Sequence, residues 1–309
     1  MLSDQAAGLR ALHTSAQQNA SSKTSALEQN SSAMPPITRE RSRPLRVLAV
    51  ASGKGGVGKT NVSVNLGIAL SKIGHRVLLM DADMGLANVD IMLGIHAEYN
   101  LSHVLEGKKS LREVIQQGPG GLQIIPAASG VKRMAQLNAL ENAGIINAFA
   151  ELADELDVLI VDTAAGIADS VVSFCRAAQE VIVVVTDEPA SITDAYALIK
   201  VLNRDYKVTR FRLLANMVNS PAHGRQLYDK LARVSEQFLE VSLDYLGAVP
   251  YDMALKESVQ RQIPVILHRP SSMAARSFES MAQTVQRWPV KTDATGYIQF
   301  FVENLFQGH

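Results

Sequence analysis

The chain has 309 residues, with 30 lysines and arginines against 30 aspartates and glutamates, 47% hydrophobic residues and one cysteine. A single cysteine closes no internal disulfide and cannot supply the several thiolates of a structural zinc or iron–sulfur site within one chain, which points to the reducing cytosol. Zero formal charge offers no global field to draw in nucleic acid or anionic lipid, and no apolar run approaches the roughly 20 residues of a membrane-spanning helix.

Residues 1–44 read as a flexible arm, rich in Ser, Gln, Asn and Ala, with few large apolar residues after Leu12, closing on the turn-prone basic stretch from Pro35 to Pro44. The polar start lacks the basic head and apolar core of a secretory signal. Asp4 can cap a turn, and Leu2, Ala6 and Leu9 share one helical face. So short a helix is marginal alone, and it is either a frayed start or a peptide that folds on a partner.

From Leu45 to Trp288, short β-branched runs alternate with helical patterns. Strands are expected at Arg46–Ser52, Arg76–Asp81, Leu122–Ile125, Val158–Asp162, Val181–Thr186, Phe211–Ala215 and Leu246–Val249. Continuous rather than alternating hydrophobicity means strands covered on both faces. The expected class is therefore α/β, a doubly wound, mostly parallel sheet flanked by helices in one globular domain over residues 45–289. In such sheets ligands sit beyond the carboxyl ends of the strands.

The first strand runs into Gly53-Lys54-Gly55-Gly56-Val57-Gly58-Lys59-Thr60, which fits the G-x-x-x-x-G-K-[ST] phosphate loop in its confirming place between strand and helix. Its glycines let backbone N–H groups curl around phosphate oxygens, and the helix N-terminus adds positive potential. Lys59 is expected on the β- and γ-phosphates of ATP and the Thr60 hydroxyl on Mg²⁺. Asp81 and Asp83 end the second run, where carboxylates orient water or the water ligands of magnesium, a helix-capping role for one of them remaining open. Val158–Asp162 has the form of a Walker B element, with Asp162 holding Mg²⁺ through a water. Asn216 ends another run in an amide that can both donate to and accept from adenine, or simply cap the strand.

Beyond Pro289, residues 290–309 form a polar linker and a stripe in which Ile298, Phe301, Val302 and Leu305 follow helical spacing. The stripe carries Glu303 and no Lys or Arg, whereas membrane-surface helices usually have a basic polar face. Attachment to a membrane and docking back onto the domain both remain open.

Lys54 is not needed by the general phosphate loop. With it, the sequence resembles the MinD/ParA family of deviant Walker A ATPases, whose loop reads K-G-G-x-G-K-[ST]. The resemblance implies that Lys54 reaches the nucleotide of a second subunit, so that ATP holds a homodimer together, and that Lys54, Lys59 and Asp83 form the catalytic set, Asp83 positioning the attacking water. It also implies that Asp81 ties the metal and nucleotide site to a switch, that a second switch spans Thr163–Asp169, and that Asn61, Asn216, Pro250 and Asp252 join Gly53–Thr60 around the nucleotide. Relatives commonly have a proline where Ala164 stands here.

Within that family the chain looks like the flagellar number regulators of the FlhG (FleN) type, through the blocks Asp81–Asp90, Pro126–Gly130, Asp162–Ser170 and Asp187–Tyr196. Asp4-Gln5-Ala6-Ala7-Gly8-Leu9-Arg10 matches their D-Q-A-x-x-L-R element. The resemblance implies that Asp4, Gln5, Ala6, Leu9 and Arg10 bind the placement GTPase FlhF and stimulate it, glutamine being able to position water for GTP hydrolysis. It also implies a flagellar master transcription activator of the FlrA/FleQ type and flagellar C-ring components as partners. The protein would be cytoplasmic, attached peripherally to the inner face of the membrane at a pole, with no direct DNA binding. Two rivals are a ParA-like DNA-bound positioning ATPase, which would show a basic surface or a DNA-binding module, and a P-loop ligase related to dethiobiotin synthetase, which would need a pocket for a small acceptor.

Overall fold

Runs of apolar residues without polar interruption become strands covered on both faces. In this computed structural model, β1 (Arg46–Ser52), β2 (Val77–Ala82) and β6 (Glu180–Val185) are buried along their whole lengths. They sit centrally with β5 (Val158–Ala165); β7 (Arg210–Val218) and β8 (Ser242–Pro250) extend one side, β4 (Gln123–Ile125) and β3 (Gln116–Gln117) the other. The order is β3-β4-β2-β5-β1-β6-β7-β8, parallel at every step except the antiparallel β3–β4 pair. The structure describes residues 45–83, 88–126, 139–289, 301, 302 and 305, the side chains of 139–144 excepted. Asp4, Gln5, Ala6, Leu9 and Arg10 of the arm, Ile298 of the tail and the Ala127–Gly130 part of the block Pro126–Gly130 lie outside those residues.

The helices are α1 (Lys59–Lys72), α2 (Asn88–Leu93), α3 (Leu101–Leu105), α4 (Leu111–Val114), α5 (Ala139–Leu152), α6 (Asp169–Ala177), α7 (Pro189–Arg204), α8 (Pro221–Phe238), α9 (Met253–Gln260), α10 (Val265–His268) and α11 (Met273–Gln286). Strand alternation sends Leu48 and Val50 to one face against Val62 and Leu66 of α1 and Phe278 of α11. It sends Ala49 and Ala51 to the other, against α6, α7 and α8. α7 and α8 each begin with proline, whose missing N–H costs a helix nothing at that position.

Three differences from the sequence reading have local causes. β5 continues past Asp162 because the Thr163 hydroxyl donates to the Val50 carbonyl at 3.0 Å and Gly166 N–H to that of Ser52 at 2.8 Å, prolonging the pairing with β1. β8 starts earlier, at Ser242, where edge position tolerates polar residues such as Asp244. β3 is two glutamines with no apolar signature.

The tail bears on the alternative left open above. Phe301 and Val302, read as membrane-facing, are 2% and 1% exposed, packed in the cluster containing Leu101, Leu105, Leu111 and Phe149, with Leu305 against it. In this arrangement Phe301 and Val302 place their apolar surface inside the domain, where burying each such side chain is worth about 1.5–3 kcal/mol. Among the described residues no helix is long and apolar enough to cross a membrane.

Candidate nucleotide site

β1 hands the chain to the phosphate loop at Ser52, and α1 takes it up at Lys59. Gly58 occupies the N-cap with φ 89°, a left-handed conformation, and a Cβ there would lie 2.5 Å from Asn216 Nδ2. A Cβ on Gly53 would lie 2.1 Å from the backbone C and O of Asp194 on α7. The loop is therefore gripped between α7 and Asn216, and only glycine fits at either point. No side chain caps α1 among the described residues, so its first N–H groups remain open to an anion. Lys59 is buried and donates to Ser52 Oγ at 3.0 Å. Burial lowers its pKa, opposed by the charges of Asp162 and Asp83.

Asp162 lies at the carboxyl end of β5, paired in register with Asp81 on β2. Its Oδ1 accepts from Ser63 Oγ at 2.8 Å, while buried Oδ2 has no hydrogen-bond partner among the described residues. Burial pushes its pKa up to about 6, against the pull of the Thr60 and Ser63 hydroxyls and of Lys59. Asp81 is pushed up to about 7 by burial and by Asp162, but both its oxygens are occupied: Oδ1 accepts from Asp83 N at 3.0 Å and Oδ2 from Val89 N at 3.2 Å. Asp81 thus fastens both ends of the segment between β2 and α2, whose residues 84–87 lie outside the described ones. Asp83 Oδ2 accepts from Asn88 Nδ2 at 3.3 Å.

Lys54 forms an ion pair with Glu188 of its own chain, both side chains substantially exposed. On the base side, Asn216 Nδ2 donates to the Val57 carbonyl at 2.7 Å, and its buried Oδ1 has no partner among the described residues. Thr186 Oγ1, at the end of neighbouring β6, is likewise buried and unpartnered. Pro250 ends β8 opposite Val218. Asp252 caps α9 through Ala254 N at 2.9 Å and holds the start of α11 through Ala274 N at 3.0 Å, so its oxygens brace the turn after Pro250. Asn61 sits half-buried in the first turn of α1, its carbonyl accepting from Asn65 Nδ2 at 2.9 Å.

Four contributors went unread in the sequence: Ser52, Ser63, Thr186 and Glu188. Ser63 had a signal, lying one helical turn after Thr60 and hence on the same face of α1. Glu188 had none, since its contact with Lys54 spans 134 positions.

An open helix N-terminus, a buried cation, a hydroxyl and an unsatisfied buried carboxylate oxygen suit Mg²⁺ with a polyphosphate. Among the described residues no group of three or more His, Cys, Asp or Glu converges to cage a metal. Mg²⁺ is generally held by one or two protein carboxylates or hydroxyls and keeps waters and phosphate oxygens as its other ligands.

The family model ParA, described as an NUBPL iron-transfer P-loop NTPase, matches residues 44–286. The chain is 56% identical over 264 residues to the antiactivator FleN of Pseudomonas aeruginosa, spanning 85% of this chain and 94% of that one. It is 37% identical over 238 residues to the flagellum site-determining protein YlxH of Helicobacter pylori, spanning 77% and 80%. Among solved structures, MinD of Pyrococcus horikoshii with Mg-ADP superposes with a TM-score of 0.62 at 23% identity, covering 79% of this chain and 96% of that one.

Proposed function

The chain belongs to the ParA/MinD family of P-loop ATPases, and on that premise we propose that it is an ATP-driven dimeric switch that limits flagellar number. It takes ATP and Mg²⁺ and hydrolyses ATP to ADP and phosphate. One observation carries the site reading: Asp162 Oδ2, buried without a hydrogen-bond partner among the described residues, near Lys59 and Thr60, is a cost to the fold unless a ligand satisfies it. The flagellar reading is supported by the likeness to FleN and YlxH across most of the chain.

Each residue then has a task. Lys59 and the loop amides hold the phosphates, while Thr60 and Asp162 hold the ion. Mg²⁺ supplies charge neutralisation on the phosphate oxygens. Asp83 orients the attacking water, and Asp81 transmits the state of the site through its bonds to Asp83 and Val89. Lys54 leaves Glu188 for the phosphates of the facing subunit. An exposed ion pair is worth at most about 1 kcal/mol, so exchanging it for a desolvated polyphosphate favours assembly. Hydrolysis ends the dimer, making ATP a timer. Asn216, with Pro250 and Asp252 supporting its surroundings, receives the adenine.

Asp4, Gln5, Ala6, Leu9 and Arg10 dock on FlhF and stimulate its GTPase. The ATP dimer also meets the FlrA/FleQ-type activator and C-ring components. The tail packed through Phe301 and Val302 is released on dimerisation, and two tails on one dimer hold it peripherally to the membrane by avidity. Adding a peptide of residues 1–20 to FlhF tests the partner reading: GTP hydrolysis accelerates, and a Gln5→Ala peptide does not accelerate it. An unchanged rate with the native peptide contradicts the assignment. For the tail, co-sedimentation with anionic vesicles should rise in ATP over ADP; equal binding contradicts release.

A further inference from the structure

Asp187 and His223 stand at the base side of the cradle and have no task in the steps above. Asp187 follows Thr186 at the carboxyl end of β6, and His223 lies in the first turn of α8. The backbone N–H of Asn219 donates to His223 Nδ1 at 3.4 Å, which leaves the ring proton on Nε2, and Nε2 donates to Asp187 Oδ2 at 2.6 Å. Ser220 Oγ, the cap of α8, accepts from His223 N at 3.1 Å. Lys230 Nζ lies 3.7 Å from the other Asp187 oxygen.

These contacts close the Asn219–Ser220 turn between the end of β7 and α8. Just before that turn, at the bulge of β7 between Asn216 and Val218, Met217 has φ 55°, a left-handed conformation that costs a residue with a side chain on the order of 1 kcal/mol or more and persists only where the surroundings enforce it. On one side the enforcement is Asn216, tied to Val57 in the phosphate loop. On the other it is the pairing of Val218 with Pro250 on β8, followed at once by the Asn219 N–H bond to His223. Between them Asn216 Oδ1 is left buried and open.

We propose that Asp187 and His223 are positioning residues for nucleotide selectivity: they hold the 219–220 turn, and with it the bulged end of β7, so that Asn216 Oδ1 is fixed as a lone acceptor that accepts from the adenine amino group and repels the guanine carbonyl. This rests on the reading of Asn216 as the base-contacting amide. An acceptor facing an acceptor leaves two desolvated oxygens unpaired, a penalty that discriminates only while the amide cannot turn or retreat. Neither Asp187 nor His223 touches the nucleotide in this account; they act through the turn.

The test is the ratio of GTP to ATP dissociation constants, measured by calorimetry on the full chain with Mg²⁺ for His223→Leu, His223→Gln, Asp187→Ala and Asn216→Ala. Glutamine can still donate to Asp187, so His223→Gln keeps the ratio, while His223→Leu and Asp187→Ala each lower it by about tenfold. A loss of general stability would weaken both nucleotides in parallel and leave the ratio alone, and that result overturns the proposal. If Asn216→Ala lowers the ratio and neither His223→Leu nor Asp187→Ala does, the positioning role is wrong while the base reading stands. If Asn216→Ala leaves the ratio unchanged, the base reading fails and takes the proposal with it.

Discussion

At the amino ends of the strands, buried Arg46 of β1, Glu180 of β6 and Arg212 of β7 and half-buried Asp244 of β8 complete one another, whereas toward the carboxyl ends Asp162, Asn216 and Thr186 each have a buried atom without a partner among the described residues. Arg212 donates to Glu180 at 2.8 Å and to Asp244 at 2.6 Å, its guanidinium lies 4.3 Å from the Trp288 ring, and Arg46 donates to the Trp288 carbonyl at 2.6 Å. Among the described residues Arg212 Nη2 is a buried atom of that cluster without a hydrogen-bond partner. The same sheet thus carries a largely paired network and, on the proposed reading, an open one that a ligand completes. Removing a member of the first leaves an uncompensated buried charge; removing a member of the second removes a binding group that the empty protein does not need.

The largest effects separate the two ends. Lys59→Ala should weaken ATP binding by roughly a hundredfold or more, by loss of a buried charge-assisted contact, with modest change in denaturant stability. Arg212→Ala should do the reverse, costing about 3–5 kcal/mol of stability by stranding Glu180 while the folded fraction keeps its affinity. Calorimetry and urea unfolding on both variants check this, and an affinity loss in Arg212→Ala comparable to that in Lys59→Ala would erase the distinction.

Next comes Asp162→Asn, which keeps an acceptor for Ser63 but no charge. It should abolish hydrolysis and leave the melting temperature of the nucleotide-free protein unchanged or higher. Glu180→Gln should lower the melting temperature and spare hydrolysis.

A smaller effect is in pH. Burial raises Asp81 to about 7 and Asp162 to about 6, from 3.8. The folded state therefore holds these protons more tightly than the unfolded chain does. Their contribution stabilises the nucleotide-free protein fully below about pH 4 and is lost as pH rises through about 6 to 7. Asp162→Asn should flatten its share of this decline, gaining on the order of 2 kcal/mol relative to the native chain between pH 5 and 8 in urea titrations. An identical pH slope in the two proteins contradicts the shift. The smallest change is expected from Glu188→Gln at the exposed Lys54 pair, under about 1 kcal/mol in stability.

Much of this was legible before the fold. Unbroken runs such as Val47–Ala51 and Val181–Val185 announced strands covered on both faces, and the octet Gly53–Thr60 announced the phosphate loop in its place. What escaped was whatever depends on distant pairing: Glu188 meeting Lys54, Asp187 meeting His223, and β3, whose two glutamines carry no periodicity. The tail escaped for another reason. An apolar stripe on a helix matches a lipid surface and a protein groove equally well, and the structure adds that Phe301 and Val302 lie in the buried cluster containing Phe149 and Leu101.

The central claim is that ATP assembles a dimer through Lys54 and that hydrolysis through Asp83 ends it. Light scattering after gel filtration on Asp83→Ala, and on the same chain also carrying Lys54→Ala, measures this directly. With ATP and Mg²⁺ the single variant should run at twice the monomer mass, with ADP at the monomer mass, and the double variant should stay monomeric in either. A double variant that dimerises in ATP, or a single variant that stays monomeric in it, would contradict the account.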